Sequence, residues 1–497
     1  MNKKKKLLTL ILTAALASTS LTSCFGGGKK DSELYTIDYY FIQNGTLTPQ
    51  DLDVVEDAMN VILEKDLEAH VELHPVPAWS YDEKLNLLIN SGDKFDICFT
   101  SSWVNNYKGK IAKEAYLDIT EMLPQYAPTL YANVDNSLYE ALKVDGKIYG
   151  ILNLQVLPRT PGYAVEKTSW EAFCAETGFS SADVKKSQDI EPYLAYVKEN
   201  YADAEFIFQP VDPSGLIVEG GFDDIMGITY PGAVSVADDP SDGLTVVNQF
   251  ATDFYKEAFQ MSVDFYKKGY IHNALEKSYD YTKGYCWNLA TWKPGADGEQ
   301  SQQAGGREIV TFPIGESVMY NSWLLSNVNA ISATSEDPVK SLKFLEMLNT
   351  NKELYSLITF GIECTHYTKI SETRAEVKEN TRYTMSTVGW QFSNQFNAYL
   401  LPGQEDGVWE KTADLNKSAV KSPLIGFSFD SSKVDLQLTN CYQAYMEYIN
   451  EFIYGIDKEE GQFERQYNKF LTKLNLAGAD KIIAEMQTQL DAWLAAK

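Results

Sequence analysis

The chain has 497 residues, of which 44% are hydrophobic and 13% aromatic, and its formal net charge is −26. A chain of this length exceeds what one hydrophobic core supports, so we expect two or more domains. The acidic balance disfavours nucleic acid and anionic lipid head groups as partners, because like charges repel. The aromatic content is typical of proteins that build large cores and also present aromatic faces to a ligand.

The first 23 residues have the pattern of a secretory signal peptide. Four lysines at 3–6 precede an apolar run at 7–17, which is too short to span a bilayer. The tetrapeptide Leu-Thr-Ser-Cys that ends at Cys24 resembles the lipobox of bacterial lipoproteins, in which the cysteine is joined to a diacylglycerol. We predict that residues 1–23 are removed, that Cys24 anchors the chain to the extracellular face of the cell membrane, and that residues 24–33 form a flexible tether. The alternative is an ordinary cysteine behind an ordinary signal peptide.

Strands and helices alternate over the next 70 residues. Strands are predicted at 35–42, 70–76 and 95–99 from their β-branched and aromatic content. The spacing of apolar residues predicts a helix after Thr48, opened by Pro49 and Asp51, and a second helix from a capping box at 80–83 to Gly92. This order is the signature of an α/β domain with a parallel sheet. Ligands bind such sheets outside the carboxyl ends of the strands.

Downstream patterns indicate a second domain and a helical C-terminus. Residues 144–150 read as a hairpin with an Asp-Gly turn that leads into a strand ending near residue 156. Residues 253–268 predict a helix, 285–290 a strand, 298–307 a polar surface loop, and Asp337-Pro338 the start of another helix. Helices are expected at 434–454, 462–476 and 479–494.

Motifs for nucleotide binding or nucleophilic catalysis are missing from the sequence. It contains no P-loop, no G-x-G-x-x-G and no G-x-S-x-G. His70 and His74 lie in a predicted strand without the rest of a zinc motif, and the acidic turn at 238–243 lacks EF-hand spacing, so no metal or cofactor is expected. The five cysteines after Cys24 are widely spaced, which predicts free buried thiols. A glycan hydrolase, which needs only two suitably spaced carboxylates, remains an alternative.

Several stretches of the mature chain, taken in order, resemble the solute-binding lipoproteins of bacterial ABC importers. They resemble the carbohydrate-binding family 1 type, with the extra C-terminal domain of unknown function seen in Gram-positive lipoproteins. The matching stretches lie at 91–97, 143–149, 329–335, 360–363, 366–367, 394–396, 426–430, 477–482 and 489–493. Cys364 and Ser393 depart from the pattern, since glycine is more usual at both positions.

The resemblance implies an α/β, two-lobed periplasmic-binding-protein-like fold of type II. Residues 34–150 would form lobe 1, completed by roughly 320–365, and 151–319 would form lobe 2, completed by roughly 366–430. Residues 431–497 would be a helical extension packed on a lobe. Ligand would bind between the lobes, and binding would close the hinge.

The function implied by the resemblance is binding without catalysis. A monomer would capture a carbohydrate, an oligosaccharide by preference, and deliver it to the permease subunits of an ABC transporter. Peptides, amino sugars and polyamines remain alternative ligands. Two alternative functions also remain: a surface-anchored glycan hydrolase, and a structural or sensory lipoprotein that hands its ligand to a membrane receptor. No nucleic acid partner is expected, and contact with the membrane would be through the lipid anchor only.

Aromatic and amide side chains that follow predicted strands are the candidate ligand contacts, since rings stack on sugar faces and amides bond sugar hydroxyls. For each of them, the competing interpretation is a core or turn residue. The candidates are Gln43, Asn44, Trp103, Asn105, Trp292, Lys293, Tyr367, Trp390 and Asn394.

Overall fold

A computed structural model of the chain describes residues 34–43, 49–201, 204, 206–210, 213–272, 274, 277–456 and 461–497. The predicted signal peptide, Cys24 and the tether to residue 33 lie outside them, as does Asn44. The strands are β1 Tyr35–Gln43, β2 Ala69–Pro77, β3 Ile97–Thr100, β4 Lys143–Val144, β5 Lys147–Ile148, β6 Gly150–Leu152, β7 Gly162–Glu166, β8 Phe206–Gln209, β9 Phe222–Asp224, β10 Ala233–Ser235, β11 Gly284–Leu289, β12 Ile309–Pro313, β13 Val318–Met319, β14 Val328–Ile331, β15 Tyr367–Lys369, β16 Ala375–Val377 and β17 Val420–Lys421. The helices are α1 Leu52–Asp66, α2 Ala78–Ser91, α3 Tyr107–Ile111, α4 Met122–Tyr126, α5 Pro128–Ala132, α6 Lys167–Thr177, α7 Glu191–Asn200, α8 Pro213–Glu219, α9 Asp253–Lys267, α10 Ala296–Gln303, α11 Asn321–Leu324, α12 Pro338–Thr350, α13 Lys352–Phe360, α14 Val408–Ser418, α15 Asp435–Ile453, α16 Gln462–Ala477 and α17 Ala479–Ala496.

Lobe 1 is built on a sheet in the order β2-β1-β3-β14-β6. β1 is parallel to β2 and β3, whereas β14 runs antiparallel to β3 and β6. Along β1, Ile37, Tyr39 and Phe41 face one side by strand alternation and are fully buried. On that side, the rings of Tyr39 and Phe41 both pack against Phe392. The ring of Tyr39 also packs against Phe344 of α12. The carboxyl ends of β1, β2 and β3 therefore meet at one edge of the lobe.

Lobe 2 contains a smaller mixed sheet in the order β12-β7-β11-β8. β11 is parallel to β8 and antiparallel to β7, and β12 is antiparallel to β7. Its core includes aromatic residues of β7, β8 and α6, with Trp170 stacked on Phe312 at a ring distance of 5.2 Å.

The C-terminal helices form a third core together with residues from the middle of the chain. We call this unit the C-terminal module; its core combines residues 216–263 with residues 424–490. α9 joins the module to lobe 2, because Tyr255, Phe259 and Val263 belong to the core of the module while Met261 and Phe265 belong to the core of lobe 2. The spacings of four and eight residues place the first three on one helix face.

Most predicted elements are present, with shifts at their ends. The hairpin forms as β4 and β5, with Asp145 and Gly146 in the left-handed region that an Asp-Gly turn requires. α2 ends at Gly92 in left-handed geometry, as predicted. Asp51 makes no side-chain cap on α1, because its carboxylate pairs with Arg382 and His366. The prediction of a surface loop at 298–307 is wrong over its first half, where the chain forms α10.

Residues 366–400, assigned to lobe 2 from sequence, pack on lobe 1 instead. Tyr383, Met385, Val388 and Phe392 lie in the core of lobe 1, and Tyr367 packs with Phe360 at the end of α13. The physical reason is that this segment covers the face of β1 that α12 and α13 leave incomplete. Residues 216–263, also assigned to lobe 2, instead share a core with the C-terminal helices.

In the described part of the chain, two segments connect the lobes, at roughly 153–160 and 314–327, and a third, at roughly 401–422, leads from lobe 1 to the C-terminal module. These segments pair with one another: the backbones of Arg159 and Val318 form an antiparallel β-bridge, and β13 pairs with β17.

The described cysteines Cys98, Cys174, Cys286, Cys364 and Cys441 are free thiols. Within the described part of the chain, no helix is long and apolar enough to cross a membrane.

Candidate functional site

Two exposed tryptophans follow neighbouring strand ends of the lobe 1 sheet. Trp79 comes two residues after β2 and is 78% exposed, and Trp103 comes three residues after β3 and is 54% exposed. β1 lies between these strands, and its last residue is Gln43. With strands about 4.8 Å apart, the two strand ends lie about 10 Å from each other. Large apolar rings in solvent at the carboxyl edge of a sheet are the expected form of a ligand platform.

Trp103 is held in place by its loop. Its indole Nε1 donates to the carbonyl oxygen of Ser326 at 2.9 Å, and its backbone N–H donates to Ser101 Oγ at 3.2 Å. The backbone N–H of Asn105 donates to Asp82 Oδ1 at 2.6 Å, so the far end of the loop is tied to α2. The ring is therefore fixed before any ligand arrives, which lowers the entropy cost of binding.

Trp390 and Phe99 complete an aromatic cluster with Trp103. The Trp103 and Trp390 ring centroids are 6.4 Å apart, and Phe99 lies 6.0 Å from Trp103 and 5.4 Å from Trp390. Phe99 is fully buried, so it supports the two tryptophans from the core. The structure thus brings together Trp103 and Trp390, which are nearly 300 residues apart in the chain.

A buried amide network positions the segment that carries Trp390. Asn327 Nδ2 donates to the Trp390 carbonyl at 2.7 Å. Asn153 Nδ2 and Asn329 Nδ2 both donate to the carbonyl of Gln391, at 3.1 and 2.9 Å. The Gln391 side chain bonds both backbone groups of Ile42, at 3.0 Å to its N–H and 2.7 Å to its carbonyl. Buried amides need partners, and here each partner fixes the cluster relative to the sheet.

Gln43 lies beside this segment, at the carboxyl end of β1. Its side chain is almost fully buried, yet neither amide atom has a hydrogen-bond partner among the described residues. Alternation along β1 places it on the same side as Phe41, which packs on Phe392. A buried amide without partners costs about 1–3 kcal/mol. The amide is closed to solvent in this structure, so a ligand hydroxyl would bond it only after the edge of the lobe opened.

Trp323 and Arg159 form a second aromatic site where the chain crosses between the lobes. The Arg159 guanidinium lies 5.0 Å from the Trp323 ring centroid, a cation–π contact. Trp323 is connected to the aromatic cluster, because its carbonyl accepts from the N–H of Ser326, whose own carbonyl holds Trp103. The indole nitrogen of Trp323 is buried without a hydrogen-bond partner in the part of the chain that the structure describes.

Sequence reasoning missed Trp79 and Trp323. Trp79 had a usable signal, since it follows a predicted strand as Trp103 does. Trp323 had none, because its position depends on the crossing of segments that are distant in the chain.

Two adjacent aspartates lie buried beneath this crossing. Asp223 Oδ2 accepts from Ser422 Oγ at 2.5 Å and from the N–H of Asn321 at 3.3 Å. Burial and the neighbouring Asp224 carboxylate raise the pKa of Asp223 from 3.8 to about 7. Burial also raises the pKa of Asp224, an effect that the nearby Arg159 charge opposes.

Stability should fall with rising pH because of Asp223. A carboxyl with a raised pKa in the folded state binds a proton that the unfolded chain releases, so its contribution is full below pH 3.8 and is lost as the pH rises through about 7. In urea unfolding, the stability of Asp223→Asn relative to wild type should therefore increase between pH 5 and 8. Asp239→Asn, on an exposed turn, should show no such trend; a flat difference for Asp223→Asn as well would contradict the assignment.

Trp292 and Lys293 lie on lobe 2 in a loop that bonds the crossing segment, because the Trp292 N–H donates to the Thr160 carbonyl at 2.6 Å. Trp292 Nε1 donates to Thr311 Oγ1 at 3.1 Å, and Lys293 pairs with Glu299 at 2.8 Å. Both residues line a cavity of about 510 Å³ against α14. Their predicted role in ligand binding stays a prediction.

A larger cavity of about 810 Å³ lies between the lobes. Lobe 2 contributes α10 and the residues that follow it, and lobe 1 contributes the segment that leads to Trp390. The polar side chains in its lining are those of Lys167, Asp297, Ser301, Gln302, Glu308, Glu376, Thr384, Ser386 and Thr387. Hydroxyl, amide and carboxylate groups at this density suit a polyhydroxylated ligand.

Three predicted contact residues make their contacts inside the protein. Asn105 is fully buried, and its Nδ2 donates to the Phe99 carbonyl and to Tyr116 Oη. Tyr367 packs in a small apolar cluster with Phe360 and Tyr399. Asn394 is largely buried; its side chain accepts from the N–H of Phe396 and donates to the carbonyl of Asn349. Their predicted role as ligand contacts stays a prediction.

Comparison with known proteins gives one family match and several relatives. Residues 423–495 match the family described as "Domain of unknown function (DUF3502)". A curated protein from Streptococcus pneumoniae serotype 4, named carbohydrate ABC transporter substrate-binding protein, is 26% identical over 459 residues, which span 90% of this chain and 89% of that protein.

Solved structures with the same fold include binding proteins from two genera. The N-glycan transport solute binding protein NgtS of Streptococcus pneumoniae is 24% identical and has a TM-score of 0.79 over 93% of this chain and 99% of that protein. Its complex with Man5GlcNAc has a TM-score of 0.66 over the same shares. An extracellular solute-binding protein from Bifidobacterium longum subsp. infantis, 14% identical, has a TM-score of 0.62 over 93% of this chain and 99% of that protein. The predicted two-lobed fold and the resemblance to solute-binding proteins of ABC importers are confirmed.

Proposed function

We propose that this chain captures a carbohydrate, an oligosaccharide by preference, between its two lobes and delivers it to the permease of an ABC transporter. The observation that carries the proposal is the carboxyl edge of lobe 1, where Trp79 and Trp103 are exposed on either side of the unpartnered Gln43 amide. The relative named as a carbohydrate ABC transporter substrate-binding protein supports it, since the similarity extends over most of both chains.

Sugar chemistry fits this edge better than peptide or polyamine chemistry. A pyranose ring presents an apolar face of C–H groups, which stacks on an indole, and a rim of hydroxyls, which bond amides and carboxylates. We expect the aromatic cluster to supply the first kind of contact, and the polar cavity between the lobes, whose lining shares no residue with the cluster, to supply the second. A peptide would instead need backbone donors and acceptors in a regular row, as in β-strand addition.

The remaining parts of the proposal concern location and chemistry. The mature chain would be a monomer anchored through a diacylglycerol on Cys24 at the extracellular face of the membrane, with the permease subunits as partners. It would have no catalytic activity. The alternative, a glycosidase, needs two carboxylates that flank a bound sugar, and a turnover assay separates it from a protein that only binds.

The test is a ligand screen on residues 29–497, with the tether removed. Mono- and oligosaccharides, peptides and polyamines are added singly, and the unfolding midpoint is followed. A ligand at 100 times its dissociation constant adds about 2.7 kcal/mol of stability, which gives a shift of a few degrees. We expect shifts with oligosaccharides and no turnover of chromogenic glycosides. A response to peptides or polyamines alone would overturn the carbohydrate class, and turnover would favour the hydrolase.

A further inference from the structure

One face of β1 and β2 carries a group of metal-ligating side chains that the proposed sugar site does not use. Asp38 on β1 and Glu72 and His74 on β2 each direct a donor atom into one small volume, and the three atoms lie within 4.8 Å of one another. His74 Nε2 is 2.9 Å from Asp38 Oδ1 and 3.9 Å from Glu72 Oε1. We propose that this trio is a binding site for one Zn²⁺ ion.

The strand register explains why the trio converges. In the parallel pair, Asp38 is the partner of Glu72 and Tyr40 is the partner of His74, so all three ligands belong to one face. The His74 ring stacks on Tyr40 at a centroid distance of 4.2 Å and an interplanar angle of 13°, which fixes the plane of the imidazole. The donor atoms of Asp38 and His74 are therefore already held in position before a metal binds. Glu72 is exposed and free to adjust its rotamer.

The donor set selects the metal. Zn²⁺ binds imidazole nitrogen and carboxylate oxygen at about 2.0–2.2 Å, so its ligand atoms stand about 3–3.5 Å apart, close to the separations found here. Imidazole is a poor ligand for Ca²⁺ and Mg²⁺, which take oxygen ligands. Glu72 and His74 also line a surface cavity of about 760 Å³, which leaves an entry path and room for a water molecule as fourth ligand.

The surrounding charges set the conditions for binding. Lys94 Nζ lies 3.7 Å from Asp38 Oδ2, and it also approaches the buried Asp96 at 3.7 Å. Lys94 therefore competes with the metal for one carboxylate oxygen. On the other side, His70 faces the same side of β2 but is held by Glu64 at 2.8 Å, which keeps it out of the trio.

The experiment titrates ZnCl₂ into the untagged full chain after EDTA treatment, with calorimetry as the readout. We expect one Zn²⁺ per chain, and neither CaCl₂ nor MgCl₂ at the same concentration should compete. His74→Ala and Asp38→Asn should each weaken binding by tenfold or more, while His70→Ala leaves it unchanged. Lys94→Met should tighten binding several-fold, because a competing cation is removed.

If His74→Ala binds Zn²⁺ with wild-type affinity, the proposed site is wrong. The zinc would then bind elsewhere, for example at the exposed Cys364 thiol. The proposed site would equally be refuted if His70→Ala abolished binding while His74→Ala did not, or if no heat accompanied the titration. Each variant is checked for its unfolding midpoint without metal, so that a loss of affinity is separated from a loss of fold.

Discussion

Trp103→Ala is expected to weaken oligosaccharide binding by about 10- to 30-fold. An indole that covers one sugar face removes roughly 60–80 Å² of apolar surface from water, which at about 25 cal/mol per Å² corresponds to about 1.5–2 kcal/mol. Trp103 is already fixed by the bond from its Nε1 to the Ser326 carbonyl, so little of this gain is lost to ordering. Isothermal titration of the oligosaccharide found in the screen measures the change.

Matched variants separate stacking from general damage. Trp103→Phe keeps a flat ring on Phe99 and should retain most of the affinity, although it loses the bond to Ser326. Trp79→Ala should reduce affinity less, because Trp79 is more exposed and packs against less of lobe 1. Leu476→Ala, a highly exposed apolar side chain on the C-terminal module, should have no effect. Equal affinities for Trp103→Ala and the Leu476→Ala control would remove Trp103 from the site.

The parts of the site that follow from local sequence were predictable. An aromatic residue in the loop directly after a buried strand has little core left to pack into and is expected at the surface. This argument, applied to the loop after β3, predicted Trp103 as a ligand contact. The same logic applied to β2 would have identified Trp79, but the residues around it were read as a capping box that began only at Ser80. The helix in fact begins at Ala78, and Ser80 Oγ bonds the Pro77 carbonyl instead.

Residues whose roles depend on distant partners were not predictable. Asn105 stands in a polar loop, the usual place for a ligand contact, yet its positive φ of 49° turns the side chain inward to Tyr116. Asn394 lies in a polar segment but meets the carbonyl of Asn349 from α12. Nothing in the local pattern distinguishes such an internal partner from a ligand, because both satisfy the same amide.

The division into lobes shows the same limit. Apolar periodicity located α15, α16 and α17 almost to the residue, since each helix buries one face. It did not show that their partner is residues 216–263, because an apolar face carries no information about which other face covers it. The assignment depends on α9, where Phe259 stacks on Phe452 at 5.0 Å.

Asn329→Leu should destabilise lobe 1 by about 3–5 kcal/mol. Asn329 is fully buried; its Nδ2 donates to Asn153 Oδ1 and to the Gln391 carbonyl, and its Oδ1 accepts from Tyr39 Oη. Leucine has similar volume but leaves Asn153 Oδ1 without this partner and weakens the bonding of the other two groups. Each buried polar group left unsatisfied costs about 1–3 kcal/mol. The thermal unfolding midpoint, measured without ligand, should therefore drop by several degrees.

The same variant tests whether the amide network serves the site as well as the fold. Since the network holds the backbone on both sides of Trp390, affinity for the oligosaccharide should fall even at temperatures where Asn329→Leu remains folded. Asn200→Ala, which removes only an exposed bond to the Tyr196 carbonyl, is the control for both readouts. If Asn329→Leu lowers the midpoint but binds the oligosaccharide normally, the network stabilises lobe 1 without positioning Trp390. If both quantities fall together, the polar core beneath the tryptophans is what makes the edge of lobe 1 rigid enough to select a sugar.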